Sequence, residues 1–193
     1  MILGQRTGKN HPAPTAGAVT ALAVMLVQPQ AVSYPMMTFR DQSWQSRFKE
    51  MGDTAEGVFQ AVAPLGKYER LGWNRPAVSL TLMSPAIRHM PDYYSGGKLV
   101  EVMGLGRDGI LKLKTGKWEA LKFWNKTGNE VVMFLWNSHK KTYALVEWSA
   151  LVSLTGRARR AGIQAFENDG NEYYPIRWAD IVDTCDQVVQ VIV

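Results

Sequence analysis

The segment Met90–Gly104, MPDYYSGGKLVEVMG, holds two acids that a short stretch of chain could bring to one point. Asp92 precedes the turn residues Ser95, Gly96 and Gly97, and Glu101 sits inside the apolar run Lys98–Met103. That run has the composition of a buried strand, where a carboxylate without a partner is expensive to desolvate. Two carboxylates converging across a tight turn form a cage for a hard divalent cation such as Mg²⁺, which takes oxygen ligands.

Strand parity sorts the neighbours. Leu99, Glu101 and Met103 share one face, and Lys98, Val100 and Val102 share the other. Glu56, in the segment Gly52–Glu56, is the third acid able to join Asp92 and Glu101. Three such groups could hold one or two Mg²⁺, polarise a phosphate and lower the pKa of an attacking water. Each has a plainer role open to it. Glu56 could close a capping box begun by Asp53, Asp92 could merely open the turn, and Glu101 could face solvent on an edge strand.

The elements that must position these residues follow from periodicity. Asp53 is expected to cap a helix that buries Val58, Phe59 and Val62 and stops near Pro64 and Gly66. Strands are predicted over Ala77–Met83, Lys98–Met103, Val131–Trp136 and Lys141–Glu147, with a late one over Glu172–Trp178. The run VVMFLW is apolar on both faces and should lie fully buried. Helices are predicted over Thr115–Lys126 and Ser149–Arg160. Helices alternating with strands give an α/β layer with a mixed sheet.

Length and composition set the frame. A chain of 193 residues suits one domain, and 46% apolar with 20% charged residues excludes a disordered chain. The net charge of +5 permits a polyanionic partner without requiring one. Cys185 is the single cysteine, so an intrachain disulfide and a thiolate metal cluster are both excluded, and a reducing, cytoplasmic setting is expected. The apolar run Ala16–Val27 follows Arg6 and Lys9 like a signal peptide, but it falls short of the roughly 20 residues a membrane span needs. Residues 1–37 are read as an extension, disordered or a start-site artefact with Met36 or Met37 as the true start. Residues 38–193 are read as one domain. No Walker or dinucleotide glycine loop, zinc pattern or Ser-His-Asp arrangement is present.

Taken in order, Gly52-Asp53-Thr54-Ala55-Glu56, Pro91-Asp92 and Glu101-Val102-Met103 resemble the PD-(D/E)XK nuclease superfamily over about residues 48–150. The resemblance implies a restriction-endonuclease-like core, a mixed four-stranded sheet flanked by helices, and Mg²⁺-dependent hydrolysis of DNA phosphodiesters, with Mn²⁺ as a substitute. It implies Asp92, Glu101 and the Val102 carbonyl as metal ligands, with Glu56 completing the site. The family's third motif residue is usually lysine, and here it is Met103, which cannot donate to or stabilise a charge. Either the cation has moved, to Lys117 first or Lys112 second with Lys114 a further candidate, or the site is inactive and the protein serves DNA binding or virion assembly. A small nuclease of this kind resembles phage or mobile-element enzymes acting on branched recombination intermediates in the host cytoplasm as homodimers, and no membrane is implied. Arg157, Arg159 and Arg160, together with Tyr93, are candidate DNA contacts. Trp118, Trp124, Trp136 and Trp148 fall on apolar patterns and are read as core.

Overall fold

The computed structural model describes residues 44–72, 83–167 and 170–191. In chain order the elements are α1 (Trp44–Val62), β1 (Tyr68–Arg70), α2 (Pro85–Arg88), β2 (Tyr93–Ser95), β3 (Lys98–Leu105), β4 (Ile110–Lys114), α3 (Thr115–Lys126), β5 (Val131–Asn137), β6 (Thr142–Val146), α4 (Trp148–Ala161), β7 (Gln164–Ala165), β8 (Glu172–Arg177), α5 (Trp178–Val182) and β9 (Val188–Gln190). The run Ala16–Val27, the extension 1–37 and most of the predicted strand Ala77–Met83 lie outside the described residues.

Six strands form one mixed sheet in the order β1-β2-β3-β5-β6-β9, rather than the four expected. Among the described residues only β3 and β5 run parallel in it. A second, three-stranded antiparallel sheet, β4-β8-β7, was not anticipated. Its strands are short, and the alternation of Leu111 and Leu113 with Lys112 and Lys114 is a strand pattern that lies outside the predicted strands.

The apolar run of β5 is buried at every position because both faces of the central sheet are covered. Val132, Phe134 and Trp136 meet Val100, Val102 and the α1 residues Ala55 and Phe59 on one side. Val131, Met133 and Leu135 meet Trp118 and Leu121 of α3, Leu151 and Leu154 of α4, and Leu111, Leu113, Tyr174 and Ile176 of the second sheet on the other. The expected Trp118 and Trp136 are core, with Trp118 stacked on Trp148 at 5.1 Å. The late strand ends one residue early, and Trp178 instead opens α5.

The first helix departs from its prediction. It is already helical at Trp44, so Asp53-Thr54-Ala55-Glu56 lies inside it rather than at its start. Packing of Ala55 and Phe59 onto the sheet outweighs the local preference of Asp53 for a helix start. The helix lies so close to β3 that a Cβ on Gly104 would stand 2.8 Å from the Met51 carbonyl oxygen. Gly104→Ala is therefore expected to push the helix off the strand and cost about 1–3 kcal/mol. Chemical denaturation would read this as a lower midpoint with an unchanged m-value.

Candidate active site

The tight turn between β2 and β3 aligns the two acids. Gly96 and Gly97 both adopt positive φ, 58° and 80°, as a two-residue hairpin turn requires. Tyr93 then pairs with Val100, which carries Asp92 alongside the open edge of β3 beyond the end of β2. There the Val102 N–H donates to Asp92 Oδ2 at 2.8 Å. The N–H and C=O of a strand residue point the same way, so the Val102 carbonyl faces this open edge too.

Glu101 projects to the opposite sheet face from α1 and is 3% exposed. The chain leaves β4 directly into α3, and the first turn of that helix brings Lys117 back over β3. Its Nζ stands 2.7 Å from Glu101 Oε1. Glu101 Oε2 is buried with no hydrogen-bond partner. Asp92, Glu101, Val102, Met103 and Lys117 line one cavity of about 350 Å³, along with Glu56, His89, Asp108, Lys112, Lys114 and Phe166.

Charge in this cavity is unbalanced. Burial pushes the Glu101 carboxyl up to about 8, the negative charge of Asp92 adds to that, and Lys117 opposes it. Burial also raises Asp92, against Lys117 and the Val102 N–H. Lys117 itself is held above its ordinary value, because Glu101 and Asp92 outweigh its own desolvation. His89 is driven down to about 4 by burial and by Lys117, Arg88 and Lys114, so it is neutral at pH 7 and adds no positive charge. Two buried carboxyls thus face one ammonium. The excess is met by a proton on Glu101 or by a cation.

A hard divalent cation suits the donors present. The orphaned Glu101 Oε2, Asp92 and the Val102 carbonyl are all oxygens beside one cavity. The expected three-carboxylate cage, however, does not form. Glu56 Oε2 accepts from Arg70 Nη1 at 2.7 Å and from the Tyr93 hydroxyl at 3.3 Å, so its charge is already neutralised. Among the described residues no group of three or more His, Cys, Asp and Glu is placed to hold a metal ion.

The other candidates fall in different places. Lys112 lines the cavity but is paired with Asp108 at 3.3 Å, and Lys98 is held by Glu130 and Glu147 away from Glu101. Tyr93 cannot contact DNA as expected, since it is 1% exposed with its ring 4.8 Å from that of Phe59 and its hydroxyl bonded to Gln60 and Arg70. Arg157 bonds Thr184, and Arg159 and Arg160 are exposed at the end of α4. None of these three arginines lines the cavity. Arg70 and Phe166 were missed in the sequence, because each reaches its place through pairing between separate segments, and Asp108 because it lies in the short turn before β4.

No protein-family model matches the chain, and no curated protein matches it. Among solved structures it is similar to the Holliday junction resolvase Hjc of Archaeoglobus fulgidus, an archaeal hyperthermophile, at 14% identity. The match covers 66% of this chain and 90% of that one, with a TM-score of 0.37. Similarity of that extent carries no inference about activity. Among the described residues no helix is long and apolar enough to cross a membrane.

Proposed function

We propose that the chain is a metal-dependent DNA nuclease of the PD-(D/E)XK type in which Lys117 has taken over from the absent strand lysine. The observation that carries this is the Lys117 ammonium 2.7 Å from Glu101, on the strand face that Met103 shares, inside the cavity that holds Asp92. Asp92, Glu101 and the Val102 carbonyl would hold Mg²⁺, which when bound neutralises charge on the phosphate and lowers the pKa of a water. The Val102 N–H orients Asp92. Lys117 supplies a positive charge where negative charge would develop on the phosphate, at a largely buried position where solvent screens it less. Arg70 pairs with Glu56 and keeps that carboxylate from competing for Lys117.

The exposed Arg159 and Arg160 would add sequence-independent phosphate contacts outside the cavity. Action on branched DNA, and a homodimer that places two cuts symmetrically, belong to the same reading.

Labelled linear, single-stranded and four-way-junction DNA, incubated with Mg²⁺, with Mn²⁺ and with EDTA, tests it. Cleavage is expected in either metal and not in EDTA, and Asp92→Asn and Glu101→Gln are each expected to lose it by about 10²-fold or more. Folded protein that cuts none of these would assign the chain to DNA binding or assembly, the role that Met103 favours.

A further inference from the structure

The second sheet turns one face toward the candidate active site. Along β4, Leu111 and Leu113 point into the core, while Lys112 and Lys114 alternate to the other side and line the cavity. In the β4–β8 register Lys112 lies opposite Pro175, Lys114 opposite Tyr173 and Ile110 opposite Arg177. This face therefore presents Lys112, Lys114 and Arg177, against Asp108 and Asp180 as partners.

One aromatic ring stands beside that row. Phe166 follows β7, is half-buried and lines the cavity wall. Its backbone is pinned on both sides, its N–H donating to the Asn171 carbonyl and its own carbonyl accepting from the Gly170 N–H. The ring packs on Tyr173 at 4.5 Å, and Tyr173 is anchored by donation to Gln164 Oε1 at 2.8 Å. The Lys114 ammonium lies over the Phe166 ring, 5.3 Å from its centroid. An aromatic ring under an ammonium, in the wall of a cavity of about 350 Å³, matches one nucleotide: the base takes the ring face as the lysine turns to the phosphate.

We infer that Phe166 is the stacking platform for an unpaired nucleobase next to the phosphate to be cut, so that the substrate is a DNA strand with exposed bases rather than intact duplex. The inference rests on the cavity being the phosphodiester site. Bases inside a duplex have both faces covered by their neighbours, and a recessed ring reaches them only after they leave the stack. Lys112 and Lys114 hold the backbone without reading sequence. Single strands, frayed ends and the unpaired positions of branched DNA all meet the requirement.

Binding in EDTA, followed by fluorescence anisotropy, separates base from backbone. The probes are an oligothymidylate, an abasic strand of the same length and a blunt duplex. The oligothymidylate is expected to bind about tenfold or more tighter than the abasic strand, the scale of one stacked base. Phe166→Leu, which keeps apolar bulk without the π-face, should abolish that ratio, and Phe166→Trp should preserve it. Lys112→Ala should weaken all three probes alike and reduce the salt slope by about 1. Equal binding of thymidylate and abasic strands, or a ratio untouched by Phe166→Leu, would overturn the inference. Cleavage of the same strands in Mg²⁺ keeps the two readings apart. Cutting without base preference leaves a nuclease and removes the platform, whereas base-dependent binding without cutting leaves the platform and removes the nuclease.

Discussion

Lys117→Met is expected to lower metal-dependent DNA cleavage by about 10²–10³-fold, the usual effect of removing one fixed charge-stabilising donor. Adding Met103→Lys to that variant is expected to recover a measurable part of the loss. Glu101 and Met103 sit two positions apart on the same face of β3, and Met103 lines the cavity that Lys117 enters from α3. A lysine at either position can therefore deliver an ammonium to the Glu101 carboxylate, from the strand or from the helix. The quantities to compare are single-turnover rates of Lys117→Met, the double variant and Lys117→Arg. Arginine keeps the charge and should retain more activity than methionine. A Lys117→Met protein that cuts at the parental rate would remove Lys117 from the chemistry. Failure of the double variant alone would show that the strand position no longer reaches the site.

Metal-free stability is expected to fall as pH rises above 7, and Glu101 is the reason. Its carboxyl titrates near 4.5 when unfolded and at about 8 in the folded chain. Between those values the native state binds the extra proton, so stability decreases with increasing pH and the loss is complete above about 8. His89 works in the opposite sense. With its folded value lowered from 6.5 to about 4, it removes stability as pH falls through that lower window and is neutral in both states by pH 7.5. The slope between pH 7 and 8 therefore belongs to the carboxyls, at about 1 kcal/mol per pH unit. Urea denaturation in EDTA across this window should show the slope in the parent and its flattening in Glu101→Gln. That variant is also expected to be the more stable protein at pH 9, because it no longer buries a second carboxylate beside Asp92. A slope that survives Glu101→Gln would place the titrating group elsewhere.

Several elements were legible in the chain because their causes are local. Thr115–Lys126 is a helix over the predicted residues, since its apolar positions recur at helical spacing and no tertiary demand opposes them. Val131–Asn137 is buried throughout, as its unbroken apolar run requires. The alternation of β3 sends Glu101 to one face and Val100 and Val102 to the other. Glycines at 96 and 97 make the tight turn that sets Asp92 beside the strand. Periodicity, turn chemistry and parity act over a few residues, so sequence alone determined the two acids and their approach to each other.

What remained was settled by contacts between distant segments. Asp53 could not reveal that it lies inside a helix already formed at Trp44, because the packing of Phe59 and Ala55 on the sheet decides it. Glu56 has the spacing of a third ligand, and only the fold brings Arg70 to neutralise it. Among Lys117, Lys112 and Lys114 the sequence favours Lys117, in the first turn of its helix, without showing what any of them meets. The geometry of the β4–α3 junction puts one ammonium on Glu101 and pairs another with Asp108. Tyr93 adjoins the acid and still points inward, because strand alternation gives its ring to the core while Asp92 keeps the edge. Residue types and short spacings determined which chemistry was available to this chain. The tertiary structure decided which charges meet in the buried site, since the energy of a buried charge depends on neighbours that the chain contributes from far away.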